Sequence, residues 1–288
     1  MGQIIKLMIP RAIGLGANQI LLVAYTVIAS SFPGAIAIYS FADNIQTVPS
    51  VIFGISFAQA IFPTLASLSI DNCQEKEKFE KLIAKSIRVS LFLLIPSTAA
   101  ILLLRAQIIR LILGYGFFGW SDTKAASLTL GFFALSIVAQ GLIPMLARGF
   151  YALCNTKLPM ISSLVSITIA ILLGYLFSNS SHPAIAGVPG LALAYSVGSW
   201  VNLAILAIFL SIEIKLELKK IIYHALKIIV LTLFASLVIQ IVKDVVATFF
   251  DIDRVRFLLL QAFSALALGG AVYLLGAWIF DLSGRNEK

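Results

Sequence analysis

Charge is what this sequence has least of. Only 12% of its 288 residues are Asp, Glu, Lys or Arg, about half the share of an ordinary soluble domain. Hydrophobic residues make up 60% and the mean hydropathy is +1.02, with apolar runs recurring along the whole length. That excludes a set of soluble domains and implies one all-α, polytopic membrane protein. Cysteine is nearly absent: Cys73 and Cys154 supply neither a disulfide framework nor a metal pair. His182 and His224 stand far apart and lack ligand-spaced neighbours. No phosphate-cradling glycine loop and no nucleophile–base pair is present. An enzyme reading therefore has nothing to rest on, and neither cofactor nor metal is expected. The net charge of +8 does not point to nucleic acid, because the basic residues gather in a few loops. No cleavable signal peptide is evident, since Met1 leads straight into a spanning helix containing Arg11.

Length and hydropathy predict about eight spanning helices. They cover about 8–31, 35–68, 87–104, 125–152, 159–178, 188–212, 221–243 and 256–280. The charged stretch DNCQEKEKFEKLIAKSIR reads as a short amphipathic surface helix before the third span. RAQIIRLILGYGFFGWSDTK reads as a re-entrant or interfacial piece broken by Gly114, Gly116 and Gly119. IEIKLELKK reads as a second charged loop, and Lys243 with Asp244 as a helix end at the interface. With eight spans, Lys76, Lys78, Lys81, Lys85, Arg88, Arg148, Lys157, Lys215, Lys219, Lys220, Lys227, Arg285 and Lys288 all fall on one side. The positive-inside rule makes that side cytoplasmic, with both termini inside. Arg105, Arg110 and Lys124 fall on the other side, against the rule.

The most informative stretch is 35–69, AIAIYSFADNIQTVPSVIFGISFAQAIFPTLASLS. As one helix it is about 50 Å long, more than a hydrocarbon core of about 30 Å needs. Its first half carries Ser40, Asp43, Asn44, Gln46 and Thr47, Pro49 predicts a kink, and Ser50, Gly54 and Ala58 recur every fourth residue. A helix polar at one end, bent in the middle and closely packed at the other faces a water-filled cavity rather than lipid. Asp43 is the sharpest signal, because a carboxylate within a span is costly. It either pairs with a cation along a polar pathway or sits hydrated at the interface. Arg11 and Arg148 can each grip a phosphate through paired N–H donors or snorkel to head groups. Gly190, Ala194, Gly198 and Asn202 form a second every-fourth-residue stripe. It reads as a close helix contact ending in one polar residue, with a substrate contact at Asn202 as the lesser alternative.

The stretch YSFADNIQTVPSVIFGISFAQAIFPTLAS resembles the tyrosine–x–Ala-Asp-Arg…Pro…Gly…Pro-x-Leu-Ser helix of the MurJ (MviN) family. These are flippases of lipid II within the multidrug/oligosaccharidyl-lipid/polysaccharide exporter superfamily. RGFYALCNTKLP is similar to that family's Arg-(Ala/Gly)-Phe-Tyr-Ala-x-x-Asp-Thr turn, GYGFFGWSD to its Gly-x-Phe plus Asp segment, and GLALAYSVGSWVNLAIL to its Gly-Leu-Ala-Leu-Ala helix. The matches keep family order over about residues 3–212 and cover only the family's second half. The resemblance implies a six-helix second lobe over 1–212, then a loop, the terminal helix pair and a short tail over 213–288. Met1 falls at the start of that lobe, which leads to the expectation of a truncated or split gene. Several positions depart from the pattern. Asn44 replaces the arginine after Ala-Asp, and Tyr25 or Ala24 stands where many members have an acid. Ala170 and Gly174 stand where asparagines are common, so the family's proposed cation site is largely missing. Ser196 keeps a hydroxyl, and Asn155 replaces the aspartate of the turn.

What the resemblance implies is one lobe of an inner-membrane flippase that moves undecaprenyl-pyrophosphate-linked peptidoglycan precursor by alternating access, without covalent chemistry. Asp43, Asn44, Arg11 and Arg148 are its expected substrate-binding residues. Ser40, Thr47, Pro49, Gly54, Ser196 and Asn202 are expected to line the cavity or shape it. Expected partners are the lipid-linked precursor, membrane lipids, and a separate first-lobe chain or a second copy. The rival readings are another exporter of the superfamily and a non-transporting remnant or scaffold.

Overall fold

The computed structural model describes residues 2–68, 73–113, 120–182, 184–249 and 255–280. The helices run α1 Gly2–Ala29, α2 Ala35–Ser50, α3 Ser56–Ser67, α4 Cys73–Leu113, α5 Trp120–Ala134, α6 Ile137–Ala152, α7 Lys157–Ser178, α8 Val188–Ile214, α9 Leu218–Phe249 and α10 Val255–Ile279. No strand occurs among the described residues. Seven helical stretches are long and apolar enough to cross a membrane, and α1 adds a shorter apolar segment, Gly16–Ala29. Turn chemistry sets the boundaries. Gly34 at φ 71° opens α2. Gly187 at φ 71° with a proline in the first turn opens α8, and Lys215 in the left-handed region closes it.

Three expectations change. The amphipathic linker and the third span are one continuous helix, α4, of 41 residues. Nothing between Ser86 and Leu91 breaks the hydrogen-bond ladder, and the helix goes on through RAQIIRLIL, which is therefore not re-entrant. The glycines that follow, 114–119, lie outside the described residues. At 1.5 Å per residue α4 is about 60 Å long, twice a hydrocarbon core. Its charged start projects into water, where Lys81 and Glu77 pair at 2.6 Å, both side chains well exposed. Second, the span at 125–152 is two helices, broken at Leu135–Ser136. Third, Lys243 and Asp244 lie inside α9, which runs to Phe249, and do not end it.

The kink expected at Pro49 is realised as a π-helical turn, Val51–Ile55, between α2 and α3. Pro49 has no N–H for the ladder, and a wider turn takes up the slack. The Ser50–Gly54–Ala58 stripe packs as expected. A Cβ on Gly54 would fall within 2.3 Å of the Gly141 Cα on α6, so the two backbones touch. The α8 stripe packs on α7: a Cβ on Gly190 would meet backbone atoms of Phe177 and Ser178, and one on Gly198 would meet Ala170 and the Ser166 carbonyl.

Two cores follow. One joins α1, α2, α5, α7 and the start of α8 around Tyr25, Tyr39, Phe133 and Leu191. The other joins α3, α4, α6, the end of α8, α9 and α10 around Phe79, Leu94, Met145 and Leu210. Polar bonds tie α9 and α10 to this bundle. Pro96 leaves the Phe92 carbonyl without its helical donor, and the Tyr273 hydroxyl takes that place at 2.7 Å. Lys243 Nζ donates to the Leu103 carbonyl at 2.7 Å, and Gln261 Nε2 to the Lys243 carbonyl at 2.8 Å.

Candidate functional site

The polar residues of α2 separate onto two faces. Ser40, Asn44 and Thr47 lie three and four residues apart and are all exposed, on a helix whose other uncovered residues include Phe41, Val48 and Val51. Among the described residues no other helix covers this stripe. Gln46 points the other way and is buried, with 1% of its surface exposed. Asp43 lies between the two faces, half-buried, and its Oδ1 accepts from Gln46 Nε2 at 2.9 Å. The expectation that Asp43 and Asn44 act on one surface is thus only partly realised, because Asp43 is tied to the interior.

That interior is a polar node built on the break between α5 and α6. A broken helix frees carbonyls, and each one left bare in a low-dielectric interior costs several kcal/mol. Here the turn keeps the carbonyls of Phe132 and Phe133 paired with Leu135 N at 3.3 Å and Ser136 N at 2.9 Å, and side chains add further donors around the break. Ser196 Oγ donates to the Phe132 carbonyl at 2.6 Å, Ser136 Oγ to Phe133 at 2.7 Å, Trp200 Nε1 to Leu135 at 2.9 Å and Ser50 Oγ to Ile137 at 3.2 Å. Ser136 Oγ also lies 3.2 Å from Gln46 Oε1, which joins the break to Asp43. Ser196, singled out for its hydroxyl, is therefore a helix cap; the sequence reading named Gln46 only among the polar residues of its helix and missed Ser136 and Trp200. The signal was weak, because the break has no proline or glycine of its own and its donors come from α2 and α8. Around the node, edge-to-face rings join four helices: Tyr25–Tyr39 at 5.8 Å, Tyr39–Phe133 at 5.1 Å and Phe133–Tyr195 at 5.3 Å.

The departures at Tyr25, Ala170 and Gly174 meet in space. The Tyr25 hydroxyl donates to the Ala170 carbonyl at 2.9 Å, and a Cβ on Gly174 would come within 2.8 Å of the Tyr25 ring. One large residue and two small ones fill the volume together.

A second polar region lies beyond the π-turn, where α1, α6, α7 and α8 leave a recess of about 270 Å³. Asn18, Gln140, Arg148, Tyr151, Ser163 and Asn202 are among the residues that line it. The structure thus brings Arg148 and Asn202 together, though 54 positions separate them in sequence (202 − 148). Pro144, four residues further along α6, has no N–H to donate to the Gln140 carbonyl. Gln140 Nε2 donates to Ser199 Oγ at 2.7 Å. Arg148 Nη1 donates to the Ile55 carbonyl at 3.0 Å, the last residue of the π-turn. Arg148 is therefore partly committed to holding α3. The side chain of Arg11 lies outside the described residues. Asn155 Oδ1 accepts from Leu158 N at 3.4 Å, so it caps α7 as an aspartate would. No cluster of metal-ligating residues occurs among the described residues.

Comparison with known proteins gives one family. The family model described as "Lipid II flippase MurJ" matches residues 1–260. A relative from Rhizobium tropici, described as "Probable lipid II flippase MurJ", is 34% identical over 201 residues, covering 69% of this chain and 36% of its own. Another from Rickettsia prowazekii, with the same description, is 27% identical over 274 residues, covering 95% of this chain and 53% of its own. The chain thus spans between about a third and a half of these relatives' length. A solved "Lipid II flippase MurJ, inward closed conformation" superposes with a TM-score of 0.74 at 23% identity, over 93% of this chain and 52% of the other. A Pyrococcus furiosus transporter of the MOP superfamily superposes with a TM-score of 0.60 at 16% identity, over 96% and 64%. At these identities the superpositions speak for the fold.

Proposed function

The chain belongs to the MurJ lipid II flippase family, and from that premise we propose that it forms the second lobe and terminal helix pair of a lipid II flippase. It lies in the bacterial inner membrane with both termini in the cytoplasm. The observation that carries this reading is the uncovered stripe of Ser40, Asn44 and Thr47. Three polar residues on one open face of a membrane helix are stable only against water or another protein wall. In a transporter built from repeats, that face closes a central cavity against the opposite half. The opposing wall comes from a preceding part of a longer chain, a separate first-lobe chain or a second copy. The head group of the lipid-linked precursor then crosses between the two walls while its tail stays in lipid. Asn44 offers an amide dipole where the family arginine offers a bidentate cation, so the pyrophosphate is held mainly by the opposing wall.

A second reading, a lobe that no longer transports, is favoured by Tyr25. Its ring fills the volume that the resemblance assigns to a cation site. The two readings separate in a bacterium depleted of its own flippase. The chain alone is expected not to restore growth, the chain with a matching first lobe to restore it, and Asn44→Arg to leave the pair as active or more so. Failure of the expressed pair would establish the non-transporting reading. Growth on the chain alone would show that a second copy serves as the opposing wall.

A further inference from the structure

α9 does not close fully on the six-helix lobe. Between it and α4, α6 and α8 runs a groove of about 460 Å³ with no charged residue in its walls. On α4 the lining runs from Ile87 to Leu102 and on α9 from Ile221 to Ser236, about 22 Å on each at 1.5 Å per residue. Its polar residues are turned into their own walls: Thr98 Oγ1 donates to the Leu94 carbonyl and Trp200 Nε1 to the Leu135 carbonyl, both at 2.9 Å. Ile222, Ile229 and Leu233 line the groove and are also exposed, so it opens sideways to the bilayer. A volume of 460 Å³ spread over about 22 Å leaves a section of about 20 Å², against roughly 80 Å² for a helix 10 Å across. The groove therefore admits one hydrocarbon chain and no helix. Left empty, its walls would forgo their dispersion contacts.

One end of the groove is basic. Ile83 and Leu210 meet at Gly149 toward this end, while Lys243 reaches the Leu103 carbonyl at the other. Ile87, Leu216, Leu218 and Ile221 line the mouth. Within two residues of these positions stand Lys85, Arg88, Lys215, Lys219 and Lys220, against a single acid, Glu217. Glu217 is paired with Lys220 at 2.7 Å. Lys215 and Lys219 are exposed and have no carboxylate partner among the described residues. We infer that the groove is a binding site for an anionic phospholipid, with one acyl chain along α4 and α9 and the phosphate held at the α8–α9 turn by Lys215 and Lys219. Apolar walls take the chain, and the two lysines select the head group. This lipid is a resident and not the transported molecule. The polar stripe proposed to pass a head group is on α2, and no residue of α1, α2 or α3 lines the groove. The inference goes beyond the flippase reading and holds whether or not the chain transports.

Trp200 supplies the reporter. It lines the groove 14 positions before the end of α8 (214 − 200), about 21 Å from the mouth. With Trp120→Phe and Trp278→Phe it is the sole tryptophan of the full chain. Phosphatidylglycerol brominated near its chain ends, titrated into the protein in neutral detergent micelles, should quench it saturably. The concentration needed should be about thirtyfold lower than for the same brominated phosphatidylcholine, about fivefold for each lysine. Lys215→Glu with Lys219→Glu should remove the preference, and because both residues are exposed this arm does not depend on repacking. Lys227→Glu, which lies outside the groove over the Tyr223 ring, should leave the preference intact. Ala225→Phe fills the groove and should abolish saturable quenching by either lipid. Equal quenching by the two lipids, no saturable quenching, a preference that survives the lysine pair, or quenching that survives Ala225→Phe would each overturn the inference. So would displacement of the brominated lipid by undecaprenyl phosphate at a lower concentration than by plain phosphatidylglycerol, which would give the groove to the transported lipid.

Discussion

The polar node at the α5–α6 break and the recess beyond the π-turn are built from the same materials and end in opposite states. The node sits where a helix is interrupted and the recess beside Pro144 in an unbroken one, and both collect side chains from helices distant in sequence. In the node the four carbonyls named above are each capped, and Gln46 bridges Ser136 to Asp43. Beside the recess the buried amide oxygen of Asn202 has no hydrogen-bond partner among the described residues. The difference teaches how to tell structure from function in a membrane lobe. Polar residues that answer each other hold the fold, while polar residues left unanswered inside it add nothing to its stability. Asp43, the most conspicuous residue in the sequence, belongs with the first kind more than the second.

That contrast can be broken by substitution. The largest effect is expected at the contact between the two regions. Gly54→Leu forces side-chain atoms into the Gly141 backbone, which cannot yield as a side chain would, so a loss of at least about 3 kcal/mol is expected. Thermal unfolding in detergent should show a far lower midpoint than for Val51→Leu, whose side chain lies exposed one turn earlier. Equal midpoints would mean that the helices do not touch there.

In the node, Gln46→Leu strips Asp43 of its amide donor and Ser136 of an acceptor, for a loss of about 2–3 kcal/mol. Hydrogen exchange at Ile137 to Gly141 should rise in step, because the start of α6 is anchored through Ser136. Unchanged protection there would separate Asp43 from the break. In the recess, Asn202→Leu removes no hydrogen bond and replaces an unsatisfied group with an apolar one of similar size. Stability should stay within about 0.5 kcal/mol or rise. A loss as large as that of Gln46→Leu, read from the same melting curves, would abolish the distinction between the regions.

How much of this was legible in the sequence follows from the range of the interactions. Every span was visible as an apolar run, and the close helix contacts were visible as small residues spaced by four, because both are properties of one helix. Pro49 announced a deformation but not its π form, nor that the last carbonyl of that turn, Ile55, accepts from Arg148 on α6. The α5–α6 break left no local mark, since the groups that stabilise it are Ser50, Ser196 and Trp200. The continuity of α4 was hidden by a change of polarity at about residue 88, which marks where the helix leaves water and not where it ends. Of the site residues, Ser40, Asn44 and Thr47 were visible as polar positions three and four residues apart near Asp43, and the structure leaves the three exposed while Asp43 is half-buried. That Arg148 and Asn202 line one recess needed the packing of α6 against α8.

The mutual fit of Tyr25, Ala170 and Gly174 limits which single substitutions this volume tolerates. Restoring an asparagine at 174 while the tyrosine remains drives a Cβ to within 2.8 Å of its ring. Shrinking the tyrosine first opens a cavity against two small neighbours, a loss of about 3–5 kcal/mol for an aromatic side chain. Each route back passes through a damaged intermediate, although the end states on both sides are well packed. The three positions therefore behave as one packing unit, which single substitutions damage and coordinated ones can exchange.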